Sequence, residues 1–157
     1  MDPVFKNIKL FVYDFDGVMT DNTFNLDING NESVNLNRSD GMAIQLIKAL
    51  GIEQIILSSE DSKLVQHRAK KLNIDCYFGV SNKYKKLKEI MNKRNIKPVN
   101  IGYIGNDIND LEAISMVGLR MCPSDSEKSI IDICNYKINR KGGYGVIREL
   151  YCKMTDQ

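Results

Sequence analysis

Short, apolar, β-prone runs alternate with amphipathic helical segments along this chain, and that alternation constrains the fold more than any other feature. Strands separated by helices build a parallel sheet, because each crossover helix returns the chain to the same edge. We therefore predict an α/β fold, a doubly wound parallel sheet with helices on both faces. The predicted strands cover residues 8–13, 55–57, 75–78, 99–104, 119–122 and 136–138, and the predicted helices cover 42–50, 62–73, 83–94, 110–116, 126–133 and 144–152.

One segment interrupts this alternation. Two polar-interleaved runs, 23–28 and 32–36, flank the dipeptide Asn29-Gly30. Asn-Gly accepts the positive φ angles of a type I′ turn, so we predict a β-hairpin after the first strand. The expected architecture is a Rossmann-like sheet plus this hairpin, in a single domain over residues 1–157, with no inserted cap domain.

Composition sets the class of protein without choosing a function. The chain is 43% hydrophobic and 27% charged, with a net charge of +2, which gives no reason to expect nucleic acid or a membrane surface as partner. Its four cysteines form no C-x-x-C pair, and the single histidine offers no zinc set. Charged residues interrupt the first apolar run, and no stretch approaches the roughly 18 apolar residues of a membrane span. We expect a cytoplasmic protein with reduced thiols.

Polar side chains follow several predicted strands at the point where each strand ends. Ligands of open α/β sheets bind beyond the carboxyl ends of the strands, so these side chains are candidate site residues. The sheet is expected to bring together Asp14, Asp16, Ser58, Glu60, Lys83, Asn106, Asp107 and Asp110.

This set of residues fits phosphoryl transfer. Asp14, held rigidly at a strand end, could attack phosphorus as a nucleophile, while Asp16 in the loop could act as general acid and then general base. Two carboxylates beside a phosphate require a divalent cation, and Mg²⁺ suits oxygen ligands. Lys83 and the Ser58 hydroxyl would stabilise charge on the transferred group.

Each of these residues, taken alone, also fits a structural role. D-x-D-G after a strand is often only a turn, Ser58 could be an ordinary loop serine, and Lys83 could be one solvated lysine among several. Asp107 and Asp110 could be acidic residues favoured at a helix N-terminus. What favours function is that the groups follow successive βα units in one consistent order.

The motifs resemble those of haloacid dehalogenase superfamily phosphatases. Residues 14–21, DFDGVMTD, are similar to motif I, Ser58 to motif II, Lys83 to motif III, and residues 105–110, GNDIND, to motif IV. The hairpin and the tail GGYGVIRE resemble a capless subgroup of sugar-acid phosphatases: 3-deoxy-octulosonate 8-phosphate phosphatases, nine-carbon ulosonate 9-phosphate phosphatases and the C-terminal domain of some N-acylneuraminate cytidylyltransferases. The resemblance implies a Mg²⁺-dependent phosphatase that forms homotetramers through hairpin 23–36, a neighbouring subunit closing each site.

The same resemblance implies roles for single residues. It places the metal on Asp14, the main-chain carbonyl of Asp16 and Asn106, with Asp107 as a further candidate and Asp110 supporting them. It assigns substrate binding to Glu60, Arg68, Lys71 and Gly41. Arg68 and Lys71 are three apart on a predicted helix and could together hold a carboxylate; a helix-terminal acid at Glu60 and a solvated face at the two cations are the structural alternatives.

Two departures within the family bear on substrate and activity. Octulosonate phosphatases usually carry Thr-Gly-Arg at motif II, whereas this chain has Ser58-Ser59-Glu60, which is similar to the nine-carbon phosphatases. Motif IV usually has aspartate where this chain has Asn106, which brings no charge to a metal. We expect a nine-carbon ulosonate or N-acylneuraminate 9-phosphate as substrate. The alternatives are octulosonate 8-phosphate, or a weakly active or inactive tetramerisation module associated with a cytidylyltransferase.

Overall fold

The computed structural model describes residues 2–156 and has the expected alternation of strands and helices. The strands are β1 (Leu10–Tyr13), β2 (Asn25–Leu26), β3 (Glu32–Ser33), β4 (Glu53–Leu57), β5 (Asp75–Tyr77), β6 (Ile101–Ile104), β7 (Leu119–Cys122) and β8 (Tyr136–Lys137). The helices are α1 (Arg38–Ala49), α2 (Lys63–Leu72), α3 (Lys83–Arg94), α4 (Leu111–Ser115), α5 (Lys128–Ile133) and α6 (Val146–Thr155).

Within residues 2–156 six strands form one parallel sheet in the order β5-β4-β1-β6-β7-β8. The chain leaves β1 in one direction toward β4 and β5, and later crosses to β6 on the other side. β1 is therefore flanked by β4 and β6, so the loops that follow these three strands meet at one edge. The doubly wound architecture is confirmed.

Side chains alternate between the two faces of β1, and each face has its own apolar core. Phe11 and Tyr13 point to the side that α1, α2 and α6 cover, and Leu10 and Val12 to the side that α3, α4 and α5 cover. All four are completely buried. The near-continuous apolar run of β1 is what a parallel strand buried on both faces requires.

The hairpin is present, but its turn differs from the prediction. Gly30 has a φ of +80°, whereas Asn29 is not among the described residues with positive φ, so a type I′ turn is wrong. The Asp27 N–H bonds the Asn31 carbonyl at 3.0 Å, and the Gly30 N–H bonds the Asp27 carbonyl at 3.0 Å. These bonds define a three-residue loop with glycine in the left-handed position, a common alternative hairpin closure. The Asp27 carboxylate accepts further bonds from Asn29 and Asn31 and holds this form.

Several strands and helices are shorter than expected, and the reasons are local. Pro98–Asn100 form a 3₁₀ turn, so the strand predicted from residue 99 begins at Ile101. Ile108–Asp110 form a second 3₁₀ turn ahead of α4. In the described part of the chain, the link from β1 to α1 contains the hairpin and no further domain, and no helix is long and apolar enough to cross a bilayer.

Candidate active site

The loops after β1, β4 and β6 enclose a cavity of about 390 Å³ at the carboxyl edge of the sheet. Its walls carry carboxylates, hydroxyls and amides, together with the apolar side chain of Ile108. The side chains of the described residues that line it are Asp14, Asp16, Asn22, Ser58, Ser59, Glu60, Asn106, Asp107, Ile108 and Asn109. The candidate residues from motifs I, II and IV therefore share one cavity.

Asp14 sits on the floor of this cavity at the end of β1. Its side chain is almost fully buried, and its Oδ1 accepts a hydrogen bond from the Phe15 N–H at 2.7 Å. Lys83 Nζ lies 2.8 Å from the same oxygen. Burial, and then repulsion from Asp110, raise the pKa of Asp14, while Lys83 opposes them. The carboxylate is thus fixed in direction, with the Lys83 ammonium as its cationic partner.

Lys83 opens α3, and its ammonium bridges two carboxylates. Asn82 caps the helix by accepting the Lys85 N–H, which sets the helix start at Lys83. Lys83 Nζ contacts Asp110 Oδ1 at 2.7 Å in addition to Asp14. Burial by itself would lower the pKa of Lys83, but Asp14 and Asp110 outweigh it and the pKa is raised. Lys83 is therefore a cation in the site, and the alternative that it is one solvated lysine among several is wrong, since only 2% of its surface is exposed.

Asp16 occupies a loop that glycine makes tight. Gly17 has a φ of +81°, and a Cβ there would lie 1.9 Å from the Asn106 amide, so no other residue fits without moving motif IV. The Thr20 hydroxyl donates to Asp16 Oδ1 at 3.3 Å and accepts the Gly17 N–H at 3.3 Å. Burial raises the pKa of Asp16. A carboxyl that holds its proton more readily suits a general acid.

Asn106 faces two other oxygen-bearing groups across the cavity. One atom of its side-chain amide lies 2.8 Å from the main-chain oxygen of Asp16 and 3.1 Å from Asp14 Oδ2. With nitrogen in that place the amide donates two hydrogen bonds. With oxygen there, three oxygens converge, an arrangement that a bound cation satisfies. Among residues 2–156 no cluster of three His, Cys, Asp or Glu side chains is suited to a metal, but a carboxylate, a carbonyl and an amide form an oxygen set of the kind Mg²⁺ takes.

The two acidic residues of motif IV lie in different surroundings from each other. Asp107 lines the cavity, and its Oδ1 accepts the Ile108 N–H at 2.6 Å as a helix cap. Asp110 is completely buried behind the cavity; its Oδ2 accepts the N–H groups of Asn106 at 3.0 Å and Asp107 at 3.4 Å. Asp110 therefore holds the loop and Lys83 in place.

The motif II residues line the cavity from the opposite side. Ser58 is buried at the end of β4, and its Oγ accepts the Glu60 N–H at 3.2 Å. Glu60 is exposed and also lines a neighbouring cavity of about 430 Å³, where Phe24, Glu32 and Val34 of the hairpin region form the far wall. The substrate-binding candidate Glu60 thus lies between the motif I, II and IV cavity and the hairpin.

The remaining substrate-binding candidates lie elsewhere on this chain. Arg68 on α2 donates to the Asn37 carbonyl at 3.2 Å, near Gly41, and its Nε has no partner. Lys71 is exposed one turn further on. None of Gly41, Arg68 and Lys71 is among the residues that line either cavity.

Sequence reasoning missed two contributors to the site. The Tyr103 hydroxyl donates to Asp110 Oδ1 at 2.7 Å from inside the sheet, and a tyrosine in a buried strand gives no signal of such a bond. Gly142 packs on the motif I loop so closely that a Cβ would lie 2.1 Å from the Gly17 carbonyl oxygen. Gly142 of the tail motif therefore supports the motif I loop.

A family model, curated relatives and solved structures all match this chain. A family model described as haloacid dehalogenase-like hydrolase matches residues 6–150. The chain is 33% identical over 146 residues to the 3-deoxy-D-manno-octulosonate 8-phosphate phosphatase of Salmonella typhi, covering 92% of this chain and 78% of that protein. The corresponding Yersinia pestis enzyme is 31% identical over 145 residues, with the same shares covered.

Solved structures give the same assignment. The octulosonate 8-phosphate phosphatase of Moraxella catarrhalis, crystallised with a magnesium ion, a phosphate ion and a KDO molecule, matches with a TM-score of 0.93 and 28% identity, over 99% of this chain and 92% of that one. A haloacid dehalogenase family hydrolase from Streptomyces avermitilis matches with a TM-score of 0.93 and 33% identity, over 96% and 86%. This chain belongs to the haloacid dehalogenase-like hydrolases.

Proposed function

We propose that this protein is a Mg²⁺-dependent phosphatase that hydrolyses the phosphate monoester of a sugar acid through an aspartyl-phosphate. The observation that carries the proposal is the convergence of Asp14 Oδ2, the Asp16 main-chain oxygen and the Asn106 side-chain amide beside the Lys83 ammonium. Magnesium would be held by Asp14 Oδ2, the Asp16 carbonyl and the Asn106 amide oxygen. When bound, the ion would neutralise charge on the substrate phosphate and on Asp14.

In the first step the Asp14 carboxylate attacks phosphorus. An Asp14 O–P bond forms, the bond between phosphorus and the sugar oxygen breaks, and the proton of Asp16 moves to the leaving sugar oxygen. The raised pKa of Asp16 favours the protonated carboxyl that this step needs. Lys83, 2.8 Å from Asp14 Oδ1, fixes the orientation of the nucleophile throughout.

In the second step water attacks the phosphorus of the aspartyl-phosphate. Asp16, now ionised, accepts a proton from that water, the bond between Asp14 and phosphorus breaks, and inorganic phosphate leaves. Both starting carboxyl states are restored. The Ser58 hydroxyl, which lines the cavity, would donate a hydrogen bond to a phosphoryl oxygen in both steps.

For the substrate we favour a nine-carbon ulosonate or N-acylneuraminate 9-phosphate. The support is Glu60, an exposed carboxylate at the mouth of the cavity, where a polyhydroxy chain with hydroxyl donors could reach it. The second candidate is 3-deoxy-octulosonate 8-phosphate, because the relatives in the comparison carry that activity in their names.

We also propose a homotetramer assembled through hairpin 23–36. The hairpin presents large apolar side chains to solvent: Phe24 is 59%, Leu26 63% and Ile28 100% exposed. An apolar patch of this kind commonly marks an interface. Arg68 and Lys71, which lie away from the cavity of their own chain, could then bind the sugar-acid carboxylate in the site of a neighbouring subunit.

Phosphate release with Mg²⁺, with and without chelator, tests the function. The panel is N-acetylneuraminate 9-phosphate, its deaminated analogue, octulosonate 8-phosphate and an aryl phosphate. We expect metal-dependent turnover with preference for a nine-carbon substrate. Preference for octulosonate 8-phosphate would leave the phosphatase proposal intact but contradict the role of Glu60 in selecting a nine-carbon substrate. If a folded oligomer releases no phosphate from any of these substrates, the proposed phosphatase activity is wrong. An assembly module is then favoured, with a cytidylyltransferase as the partner to test.

A further inference from the structure

Tyr103 is a fully buried tyrosine whose hydroxyl is directed at the charged centre of the site. It lies on β6, and its hydroxyl donates to Asp110 Oδ1 at 2.7 Å. The same oxygen accepts the Lys83 ammonium at 2.7 Å. One carboxylate oxygen is therefore shared between a neutral donor and a cation in a space closed to solvent, since Asp110 is also completely buried.

This shared oxygen is linked to the nucleophile through a single further contact. Lys83 Nζ, bound to Asp110 Oδ1, lies 2.8 Å from Asp14 Oδ1. The position of the ammonium relative to Asp14 depends on where Asp110 Oδ1 is held. The other carboxylate oxygen of Asp110 is fixed by two main-chain N–H groups, which leaves rotation about that anchor to be restrained by Tyr103.

We infer that Tyr103 is a positioning residue of the phosphatase: its hydroxyl holds Asp110 Oδ1 so that Lys83 stays aligned with Asp14. The inference rests on the proposed function. Without the hydroxyl, Lys83 would be the sole side-chain partner of that oxygen, and the carboxylate could draw the ammonium away from the nucleophile. Burial raises the pKa of Tyr103 well above its usual value, so the phenol keeps the proton that it donates.

The chain offers a matched control for the loss of a buried hydroxyl. Tyr13 on the adjacent strand β1 is equally buried, and its hydroxyl donates to Gln54 Oε1 at 2.8 Å. Gln54 in turn donates to the Ile44 carbonyl on α1, which is not one of the candidate site residues. Tyr13→Phe and Tyr103→Phe thus remove the same group from the same kind of environment, and only the second removes a hydrogen bond to a carboxylate that Lys83 also contacts.

The test compares kcat, KM and orthovanadate affinity in these two variants and the wild type. Vanadate mimics five-coordinate phosphorus, so its affinity follows transition-state binding. For Tyr103→Phe we expect kcat and vanadate affinity to fall about 10–100-fold, as is usual when an outer partner of a site is lost, with KM unchanged. For Tyr13→Phe we expect all three to stay at wild-type values.

Three results would overturn the inference, and they are distinguishable. Wild-type kcat in Tyr103→Phe, or equal losses in both variants, would leave Tyr103 a purely structural residue. A higher KM together with lower thermal stability in Tyr103→Phe, with vanadate affinity retained, would show a general packing defect. A wild-type protein that releases no phosphate from any substrate of the panel would remove the proposed function and the inference together.

Discussion

The substitution Asn106→Asp tests the metal site through the metal-free protein. In the structure the side-chain amide atom of Asn106 lies 3.1 Å from Asp14 Oδ2 and 2.8 Å from the Asp16 carbonyl oxygen. As nitrogen, that atom donates to both, so the wild-type site is satisfied without metal. An aspartate there would instead bring a carboxylate oxygen against two other oxygens.

The cost of that contact follows from the distance. Two unit charges 3.1 Å apart repel by about 5 kcal/mol at an effective dielectric constant of about 20. Protonating one carboxyl at pH 7 relieves the repulsion at a cost of about 4 kcal/mol, since the reference pKa is about three units lower. We therefore expect the metal-free variant to lose about 4 kcal/mol, or roughly 8–16 °C in melting temperature for a chain of this size.

The assay is thermal unfolding in chelator and across a magnesium titration, with Mg²⁺ affinity measured by calorimetry. In chelator the variant should have a lower melting temperature than wild type. Adding Mg²⁺ should raise its melting temperature by more than that of wild type, and it should bind the ion more tightly. Asn7→Asp, ahead of β1 and outside the cavity, adds the same charge at an exposed position and serves as control. Equal melting temperatures of Asn106→Asp and wild type in chelator, or equal stabilisation by Mg²⁺, would refute the assignment of Asn106 to the metal.

Two further predictions concern stability and assembly. Burial raises the pKa of Asp40 to about 6, so folding favours the neutral carboxyl; this stabilisation is complete below about pH 4 and is lost as pH rises to about 6. Denaturant unfolding at pH 4 and pH 7 should therefore show Asp40→Asn gaining about 3 kcal/mol relative to wild type at the higher pH, and identical pH slopes would contradict this. Ile28→Asp should give a smaller particle by light scattering and lower phosphatase activity, with the circular dichroism spectrum of the wild type. Val99→Asp, which also lies on exposed apolar surface, should match the wild type in all three, and an intact oligomer of Ile28→Asp would rule out the hairpin interface.

The sheet and the cavity floor were predictable because both follow from local pattern. Apolar runs such as that of β1 specify buried parallel strands, and the carboxyl end of such a strand places Asp14 at the edge where ligands bind. Neighbouring strands then bring Ser58 and Asn106 to it without further information.

Contacts between elements far apart in the chain could not be predicted from the sequence. Nothing in the pattern of β6 shows that the Tyr103 hydroxyl reaches Asp110 rather than a main-chain group. The hairpin turn was predicted wrongly because Asp27, outside the Asn29-Gly30 pair, decides the loop by accepting bonds from it. The contact of Arg68 with the Asn37 carbonyl depends on how α2 packs on α1, which helical spacing alone does not set.

The central claim is that Asp14 is the nucleophile of a metal-dependent phosphatase, and phosphate release by Asp14→Asn tests it most directly. The amide has nearly the same shape but cannot form the aspartyl-phosphate. With Mg²⁺ and the best substrate of the panel, wild type should turn over and Asp14→Asn should release no phosphate, while both give the same circular dichroism spectrum. Phosphate release by Asp14→Asn at the wild-type rate would contradict the account.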